Sequence, residues 1–500
     1  MGRRKQTEVS IMAQNIDRLK RKRLLSFLSD ATFGVEIEEH RVQLSTQSLS
    51  RYSHSNEFES RRFNPYFQTD FSESQEELVT APHSSSAEAL AQLHELQMIL
   101  ASTLKKDEVV WPLSMPPHLE NEDVDYLLTH FERPWYQKYR DYLTQKYGPY
   151  QHIMTGVHVS MSLPDELIYL YSGQNKLVSF VDAKNRLYFQ IAKHIAAYRW
   201  LFTFLFGASP LTENQDDKLV TNHPDIEPVR SWRSSSLGFT NQSHDQIQYL
   251  DFESYIKQID YLVENHHFYE QSEFYGPVRL KGKGAVKSLV DNGTDYLEFR
   301  IFDTDPFSID GISQRALDFL HLMVIDSVVN SKDWTREELH KSEAWNDDIA
   351  LVHPSELIKN DEILAVYEDL ITRLSTLLID VPDFLKSRFK EAIDYLTETL
   401  SSPRLTVGGR LQKKISHGSL SEFALYIGKN RAEQLKKEFD YFISKKDSLN
   451  RTYAQALKLG IETEKINHYQ LYLKFGDRSQ LIDHNVELSN YFDQNKDINH

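Results

Sequence analysis

Apolar and polar residues alternate along three widely separated segments of the chain, residues 33–43, 155–163 and 294–303. Alternation with a period of two is typical of β-strands that bury one face. Because long stretches of other sequence separate these segments, we expect the sheet to form by pairing between distant parts of the chain.

Helical patterns fill much of the remaining sequence. Residues 84–105 are rich in Ala, Leu, Glu and Gln, which favour helices. From about residue 354 onwards the apolar residues recur at helical spacing, and residues 419–459 continue in the same way. The clearest examples of this spacing are Leu370, Leu374, Leu377 and Leu378.

These patterns predict an α+β fold with two parts. Residues 1–335 would form the catalytic core, and residues 336–500 would form a helical C-terminal part packed on it. Two polar segments inside the core, residues 45–62 and 210–247, are expected to be loops. Loops of this length often bind ligands or cover a site.

Composition and charge narrow the class of protein. Of the 500 residues, 40% are hydrophobic and 12% aromatic, which suits a large folded enzyme, and the formal net charge is −16. So acidic a chain is a poor candidate for nucleic-acid binding, which needs a basic face, although it can still bind ATP through a few local cations. There is no cysteine, which excludes disulfides, thiolate metal sites and a cysteine nucleophile.

No targeting or membrane segment is predicted. The N-terminal Arg3, Arg4 and Lys5 are not followed by the apolar run of a secretory signal. The basic amphipathic segment 10–29 fits a solvated helix, with a membrane-surface helix as the alternative. The apolar stretch 200–208 is shorter than the ~20 residues that span a bilayer. We therefore expect a cytoplasmic protein without a membrane partner.

Paired carboxylates occur on the first predicted strand. Glu36 and Glu38 are two residues apart, so their side chains project from the same face of a strand. Two such carboxylates repel each other unless a cation lies between them, and oxygen ligands suit Mg²⁺. The alternative is an exposed polar strand face.

A second acidic group lies at Asp70, Glu73 and Glu77, whose spacing matches one face of a helix. Like charges at this spacing destabilise a helix and again favour a bound cation. The alternative is an ordinary acidic surface helix.

The second predicted strand places His158 on the same face as Gly156. Glycine in a strand can mark the close approach of a ligand or of another backbone, whereas a lone histidine is often only a hydrogen-bonded core residue. The apolar and aromatic residues upstream are expected to be core: Tyr139, Tyr142, Leu143, Tyr147 and Tyr150.

Glu298 and Arg300 share a face of the third predicted strand. They could hold a metal ion and a phosphate oxygen respectively, or form a plain ion pair. Arg230 and Arg233, in the second polar segment, are further candidates for binding an anion. The sequence has no phosphate-binding P-loop, dinucleotide glycine fingerprint or nucleophile elbow. The residues alone thus indicate an enzyme that uses Mg²⁺ and phosphate.

Taken in order, these segments resemble the bacterial glutamate–cysteine ligases, also called γ-glutamylcysteine synthetases. The resembling stretches are residues 33–38, Asp70-Phe71 with Glu77, 111–116, 156–158, 206–210, Arg233 with 237–241, Tyr275 with Pro277 and Arg279, 296–300 and 306–308. Each stretch is short, but the ordered set over residues 30–310 is specific.

The resemblance implies a fold and a reaction. The expected fold is a glutamine-synthetase-like funnel of antiparallel strands with surrounding helices, typical of carboxylate–amine ligases. ATP would phosphorylate the γ-carboxylate of glutamate, and the cysteine amine would then displace phosphate, as the first step of glutathione biosynthesis. Mg²⁺, or alternatively Mn²⁺, would be the cofactor.

The resemblance also implies roles for particular residues. The expected metal ligands are Glu36, Glu38, Asp70, Glu77, His158 and Glu298. Arg300 and Arg233 would be the catalytic residues that neutralise phosphate or a substrate carboxylate. The acceptor amino acid would contact Tyr139, Leu143, His152, Phe239 and Tyr275.

Two of these positions depart from the family pattern. Phe239 stands where a tyrosine is common, and His152 stands where a glutamine is common. The resemblance therefore predicts the phosphoryl chemistry more strongly than the preference for cysteine as the acceptor. The alternative is a related ligase that accepts another amine. A catalytically silent binding protein is a second alternative, which the presence of all the expected carboxylates speaks against.

The expected partners are the small molecules glutamate, cysteine and ATP, and a monomer is favoured. Some members of the family carry a C-terminal glutathione synthetase domain. Because this chain ends at His500 after a helical segment, the expectation is a single-function enzyme unless the chain is truncated.

Overall fold

The computed structural model describes residues 21–58, 61–131, 136–171, 178–445, 448–467, 469–476 and 478–488. Of the amphipathic helix predicted over residues 10–29, residues 21–29 are described and are helical (α1). The rest of that prediction, and the basic residues before it, lie outside the described residues.

An antiparallel sheet of eight strands forms the centre of the fold. Its strands are β1 (Thr32–Gln43), β2 (Ser48–Leu49), β3 (Phe67–Thr69), β4 (Gln75–Val79), β5 (Glu108–Trp111), β6 (Val157–Ser162), β7 (Val278–Lys281) and β8 (Tyr296–Phe302). The order is β3-β4-β1-β6-β8-β7, while β2 and β5 pair with the C-terminal half of β1. The three strands predicted from alternation are β1, β6 and β8, which are adjacent in the middle of the sheet. The α+β prediction is confirmed.

The segment around the second acidic group is not helical, so the helix predicted there is wrong. Asp70 directly follows β3, whereas Glu77 lies on β4, and the two strands form a hairpin. The spacing of the carboxylates matches a helix, but β4 pairs with β1 along its whole length, and this tertiary pairing decides its conformation.

Helices surround the sheet. They are α2 (Ser86–Thr103), α3 (Asn121–Thr129), α4 (Gln137–Tyr147), α5 (Asp165–Tyr171), α6 (Phe180–Ala197), α7 (Arg199–Phe206), α8 (Lys218–Asn222), α9 (Phe252–Glu264), α10 (Leu289–Asn292), α11 (Gln314–Val329), α12 (Arg336–Ala350), α13 (Asp361–Leu377), α14 (Asp383–Ser401), α15 (Val407–Leu411), α16 (Ser421–Ser444) and α17 (Asn450–Lys458). Helix α2 begins two residues after the start of the predicted segment 84–105, because the Ser85 hydroxyl accepts a hydrogen bond from the Glu88 amide and caps the first turn.

One face of the sheet is apolar and belongs to the main core. Val35, Ile37, Val159 and Phe299 are fully buried there, in the same hydrophobic cluster as residues of α6, α7 and α11. Side chains alternate between the two faces of a strand, so the residues between these apolar positions project to the opposite face. That second face carries the polar residues singled out above.

The C-terminal part is mainly helical, as predicted, and packs on the core. Helix α12 packs on α7, and α16 packs on α2 and β5. Beyond α17 lies a three-stranded antiparallel sheet that the sequence analysis did not predict: β9 (Glu462–Asn467), β10 (Gln470–Phe475) and β11 (Arg478–Ile482). The boundary at residues 335–336 stays a prediction. Within the described ranges, no helix combines the length and the apolar composition that crossing a bilayer requires.

Candidate active site

Strand pairing brings residues from distant parts of the sequence onto one face of the sheet. Glu77 on β4 is the register partner of Glu38 on β1, and Glu36 is the partner of His158 on β6. On the other side, Glu298 on β8 faces Arg279 on β7. Partners in an antiparallel pair project to the same side, so five adjacent strands supply one polar surface.

This surface forms the floor of a cavity of about 300 Å³. The cavity is lined by Glu36, Glu38, Gln68, Thr69, Asp70, Phe71, Glu77, Tyr136, Tyr139, Arg140, Leu143, His152, Phe239, Glu270, Ser272, Tyr275, Arg279, Lys281, Glu298 and Arg300. A pocket of this size suits small substrates. It contains eleven of the thirteen residues to which the resemblance gave a role, the exceptions being His158 and Arg233.

His158 lies beneath the carboxylates. Its Nδ1 is 2.7 Å from Glu36 Oε1, and its Nε2 is 3.7 Å from Glu38 Oε1. Burial, together with the nearby Arg300, lowers the pKa of His158 to about 4, so the imidazole is neutral at pH 7 and able to bind a metal. One ligand atom from each of Glu36, His158 and Glu298 lies within 4.8 Å of the others.

The negative charge of the other carboxylates is poorly compensated. Burial, followed by the charges of Glu36 and Asp70, raises the pKa of Glu77 well above its ordinary value. Burial and the charge of Asp70 do the same for Glu38. Both shifts show that a cation among these groups would lower their free energy when they are ionised.

Glu298 has the opposite environment. Burial alone would raise its pKa, but the positive charges of Arg300, Arg279 and Lys281 outweigh this effect and hold the pKa below its ordinary value. Arg300 Nη1 donates to Glu298 Oε1 at 2.9 Å, and Lys281 Nζ is 3.3 Å from Oε2. Glu298 thus lies at the boundary between the acidic group and a cationic group formed by Arg279, Lys281 and Arg300.

The donors present fit a divalent cation such as Mg²⁺ or Mn²⁺. Carboxylate oxygens are the ligands that hard cations prefer, and a single imidazole is tolerated. Within the described part of the chain, His158 Nε2 is buried and has no hydrogen-bond partner. Glu36, His158 and Glu298 are the residues placed closest together for holding such an ion, while Glu38, Asp70 and Glu77 extend the acidic surface.

Arg233 lies behind the cavity rather than in its lining. Its Nη1 donates to the Phe302 carbonyl at 3.1 Å and lies 3.5 Å from Asp303 Oδ1. The guanidinium crosses Gly156 so closely that a Cβ there would lie 2.1 Å from Nη2. The glycine before β6 therefore marks close approach by this side chain, and a direct contact of Arg233 with substrate stays a prediction.

Arg230 is not at the site, so its proposed role in anion binding is wrong. Its guanidinium donates to the carbonyls of Ile349, Pro354 and Glu356 at 2.5, 3.3 and 3.1 Å. The side chain is 1% exposed and satisfies backbone acceptors at the end of α12.

The residues expected to contact the acceptor form one wall of the cavity. The rings of Phe239 and Tyr275 have centroids 4.6 Å apart, and Tyr139 and Leu143 come from α4. His152 lies beside Phe71, with ring centroids 4.9 Å apart, and burial followed by the charge of Arg140 lowers its pKa to about 3. The wall is mostly apolar and faces the charged floor. The roles assigned to its members stay predictions.

Sequence reasoning gave no role to three cations of the cavity. Arg279 and Lys281 alternate with Val278 and Leu280 along β7, but an alternation over four residues is too short to predict a strand by itself. Arg140 lies next to Tyr139 on α4 and donates to the Asp70 carbonyl at 2.5 Å. Nothing in the local sequence distinguishes it from a surface arginine.

The α+β fold, whose antiparallel sheet joins clustered carboxylates to a cationic group on one face, is of the carboxylate–amine ligase type. The model of the glutamate–cysteine ligase family matches residues 16–272 and 265–349, and the chain belongs to that family.

Similar proteins agree with this assignment. A glutathione biosynthesis bifunctional protein from Streptococcus agalactiae is 33% identical over 396 residues, covering 79% of this chain and 51% of the relative. One from Enterococcus faecalis is 32% identical over 465 residues, covering 91% of this chain and 60% of the relative. The chain thus spans about half or slightly more of the length of the curated relatives it matches.

Solved structures show the same fold. A bifunctional glutathione synthetase from Pasteurella multocida superposes with a TM-score of 0.83 at 28% identity, covering 92% of this chain and 60% of that one. A glutamate–cysteine ligase from Francisella tularensis, solved in complex with AMP, gives a TM-score of 0.69 at 20% identity, covering 86% and 97%. At this lower identity the likeness concerns the fold alone.

Proposed function

We propose that this protein joins the γ-carboxylate of glutamate to the amine of cysteine with ATP as co-substrate, forming ADP and phosphate. One observation carries the proposal: five adjacent strands bring clustered carboxylates and three cations to the floor of one cavity, with a neutral histidine directly beneath the carboxylates. Membership of the glutamate–cysteine ligase family supports the choice of substrates.

Activation of the carboxylate explains the need for ATP. An amine does not displace oxide from a carboxylate at a useful rate, so the γ-carboxylate oxygen first attacks the γ-phosphorus of ATP and ADP leaves. The amine nitrogen then attacks the acyl carbon, phosphate departs with the electrons of the carbon–oxygen bond, and the nitrogen loses a proton. Positive groups aimed at the transferring phosphoryl lower the barrier.

The cationic group of the cavity would serve this phosphoryl transfer. Arg300, Arg279 and Lys281 lie beside Glu298 on the cavity floor, and the fixed guanidinium fork of an arginine suits phosphate oxygens. Arg300 is held by its hydrogen bond to Glu298, and its positive charge is stabilised by the surrounding carboxylates, which raise its pKa. These residues would bind the phosphoryl oxygens and the substrate carboxylates.

The acidic group would hold Mg²⁺, or Mn²⁺, through Glu36, His158 and Glu298, with Glu38, Asp70 and Glu77 beside them. When bound, such an ion supplies positive charge that neutralises phosphate oxygens. The mostly apolar wall would receive the small side chain of the acceptor and exclude water from the acyl group. Its members are Phe239, Tyr275, Tyr139 and Leu143.

A labelling experiment tests the reaction. The full chain is incubated with ATP, Mg²⁺, glutamate carrying ¹⁸O in the γ-carboxylate, and one amine at a time from a panel that includes cysteine, 2-aminobutyrate and glycine. We expect γ-glutamylcysteine as the preferred product, with one ¹⁸O transferred to the released phosphate because that oxygen bridges carbon and phosphorus in the intermediate.

The other outcomes are equally informative. Preference for a different amine, with ¹⁸O transfer intact, would make the protein a related ligase and contradict the choice of acceptor. Absence of ADP release with every amine would contradict catalysis altogether and favour a binding protein.

Location and assembly remain parts of the proposal. From the sequence we also infer that the protein is cytoplasmic and that it is a monomer. Its reaction would be the first step of glutathione biosynthesis. Size-exclusion chromatography with light scattering measures the assembly directly.

A further inference from the structure

A second cluster of possible metal ligands lies outside the cavity. His244 and Asp245 belong to a short 3₁₀ turn, and His267 follows the end of α9. One ligand atom from each lies within 4.8 Å of the others. None of the three residues lines the cavity described above.

We propose that His244, Asp245 and His267 bind one zinc ion. Asp245 Oδ1 lies 2.9 Å from His267 Nδ1 and 3.5 Å from His244 Nε2. In a tetrahedral site with bonds of about 2.0–2.1 Å, neighbouring ligand atoms are about 3.3 Å apart. The two distances bracket this value, and the ligand atoms of the two histidines lie within 4.8 Å of each other. Rearrangement of the exposed histidine side chains would complete three corners and leave the fourth to water.

The backbone holds the two halves of the cluster in place. The Asp245 amide donates to the Gln242 carbonyl at 2.8 Å, which closes the turn that carries His244. The His267 and Phe268 amides both donate to the Leu262 carbonyl, at 2.8 and 2.9 Å, which fixes the chain against the end of α9. A site built on fixed backbone has less entropy to lose when it binds an ion.

Exposure divides the cluster into a buried anion and two accessible imidazoles. The Asp245 side chain is 1% exposed, whereas those of His244 and His267 are 61% and 41% exposed. The ion would therefore reach the site from solvent and bind without opening the fold. A His–Asp hydrogen bond at the surface needs only one histidine, whereas a metal site would use both imidazoles.

The charges around the cluster also permit a cation. Lys146 is the positive group that faces Asp245, with Nζ 3.0 Å from Oδ2. The same ammonium is 2.7 Å from Oε1 of the fully buried Glu273, so one positive charge is shared between two carboxylates. The group of Asp245, Glu273 and Lys146 therefore keeps one net negative charge. Lys146 contacts Oδ2 of Asp245, whereas Oδ1 of the same carboxylate faces the two histidines.

The chemistry of the ligands separates this site from the acidic cavity. Two imidazoles and one carboxylate suit zinc, whereas Mg²⁺ favours an octahedron of oxygen ligands. An excess of Mg²⁺ should therefore occupy the cavity and leave the histidine cluster to zinc.

Zinc binding to the full chain in saturating Mg²⁺ tests the proposal, measured by competition with a coloured chelator. We expect one zinc ion per chain, and the variants His244→Ala and His267→Ala should each weaken its affinity at least about tenfold, because each removes one of three ligands. The matched control is His266→Asn. His266 is exposed, adjacent to the cluster but not part of it, and has a φ of 58°, which asparagine tolerates.

A second measurement uses stability. Zinc should raise the thermal midpoint of the wild-type protein and of His266→Asn clearly more than that of His244→Ala, because the ion stabilises the folded state according to its affinity for the site. Failure of the wild-type chain to bind zinc would overturn the proposal. So would wild-type affinity in both His244→Ala and His267→Ala, which would place the ion elsewhere.

Discussion

At the scale of single residues, Glu298 links the two charged groups of the cavity. Glu298→Gln removes one carboxylate charge from the acidic group and leaves Arg300, Arg279 and Lys281 without their shared partner. We expect turnover to fall by about two orders of magnitude or more at saturating Mg²⁺, because a weakened ion site and misplaced cations both raise the barrier.

Steady-state assays of ADP release measure this effect, with circular dichroism to verify the fold. Glu462→Gln is the control, because Glu462 is an exposed glutamate on β9 whose carboxylate contacts Lys474 at the surface, away from the cavity. Near-wild-type turnover of Glu298→Gln would show that this residue has no role in catalysis.

Tyr275 tests the separation between acceptor and nucleotide. Its ring packs on Phe239 and on Tyr147, with centroids 4.6 and 5.6 Å away. Tyr275→Ala enlarges the cavity beside the apolar wall, so we expect kcat/KM for cysteine to fall by about tenfold or more while the KM for ATP changes little. 2-Aminobutyrate should be accepted with reduced efficiency by the wild-type protein, because it replaces the thiol by a methyl group.

Two titrations on each variant, one of ATP and one of cysteine, give the comparison. Tyr261→Ala serves as control, since this tyrosine is 59% exposed and does not line the cavity. A higher KM for ATP in Tyr275→Ala, with an unchanged dependence of the rate on cysteine, would contradict the assignment of Tyr275 to the acceptor pocket.

At the scale of elements, His94 connects α2 to two other parts of the fold. Its Nδ1 is 2.7 Å from Asp310 Oδ1, and its Nε2 is 2.9 Å from Oε2 of Glu438 on α16. The hydrogen bond to Asp310, helped by the charges of both carboxylates, raises the pKa of His94 to about 9. The histidine is thus more readily protonated in the folded than in the unfolded protein, whose value is about 6.5.

This shift predicts how stability depends on pH. The stabilisation from His94 is complete below pH 6.5 and is lost as the pH rises through 9. His94→Gln should therefore lower the free energy of unfolding by about 1–2 kcal/mol at pH 6, and by much less at pH 9.5. Urea unfolding at both values measures the difference, with the exposed His340→Gln as control. An effect that grows with pH would contradict the assignment.

The elements also show which features the sequence could predict. Strands β1, β6 and β8 were recognisable because each is long enough for its alternation to be clear, and their shared face then located Glu36, His158 and Glu298. Strands β3, β4 and β5 have three, five and four residues, too few for a reliable period, and their conformation comes from pairing with neighbours. For the same reason the β3–β4 hairpin was misread as a helix.

At the scale of the whole molecule, the cavity depends on contacts that no local pattern contains. Arg140 reaches the site from α4, and Phe239 comes from a loop after the turn that holds Arg233. The resemblance to a family supplied Phe239, whereas Arg140 was found only in the folded structure. Local periodicity predicts a strand face, but the set of residues that surrounds a cavity is a property of the packed chain.

The absence of cysteine from the whole chain carries the last prediction. The proposed substrate is a thiol, and an enzyme with its own reactive thiol could be inactivated by mixed disulfides or alkylation. Here neither reaction has a target. We expect the protein to retain its full activity after incubation with iodoacetamide or with oxidised glutathione, once the reagent has been removed and fresh, reduced cysteine supplied. The matched control is a variant with one introduced thiol in the cavity wall, Ser272→Cys, which should lose activity to iodoacetamide because Ser272 lines the cavity. Loss of wild-type activity that dithiothreitol restores, with the substrate kept reduced, would contradict the prediction.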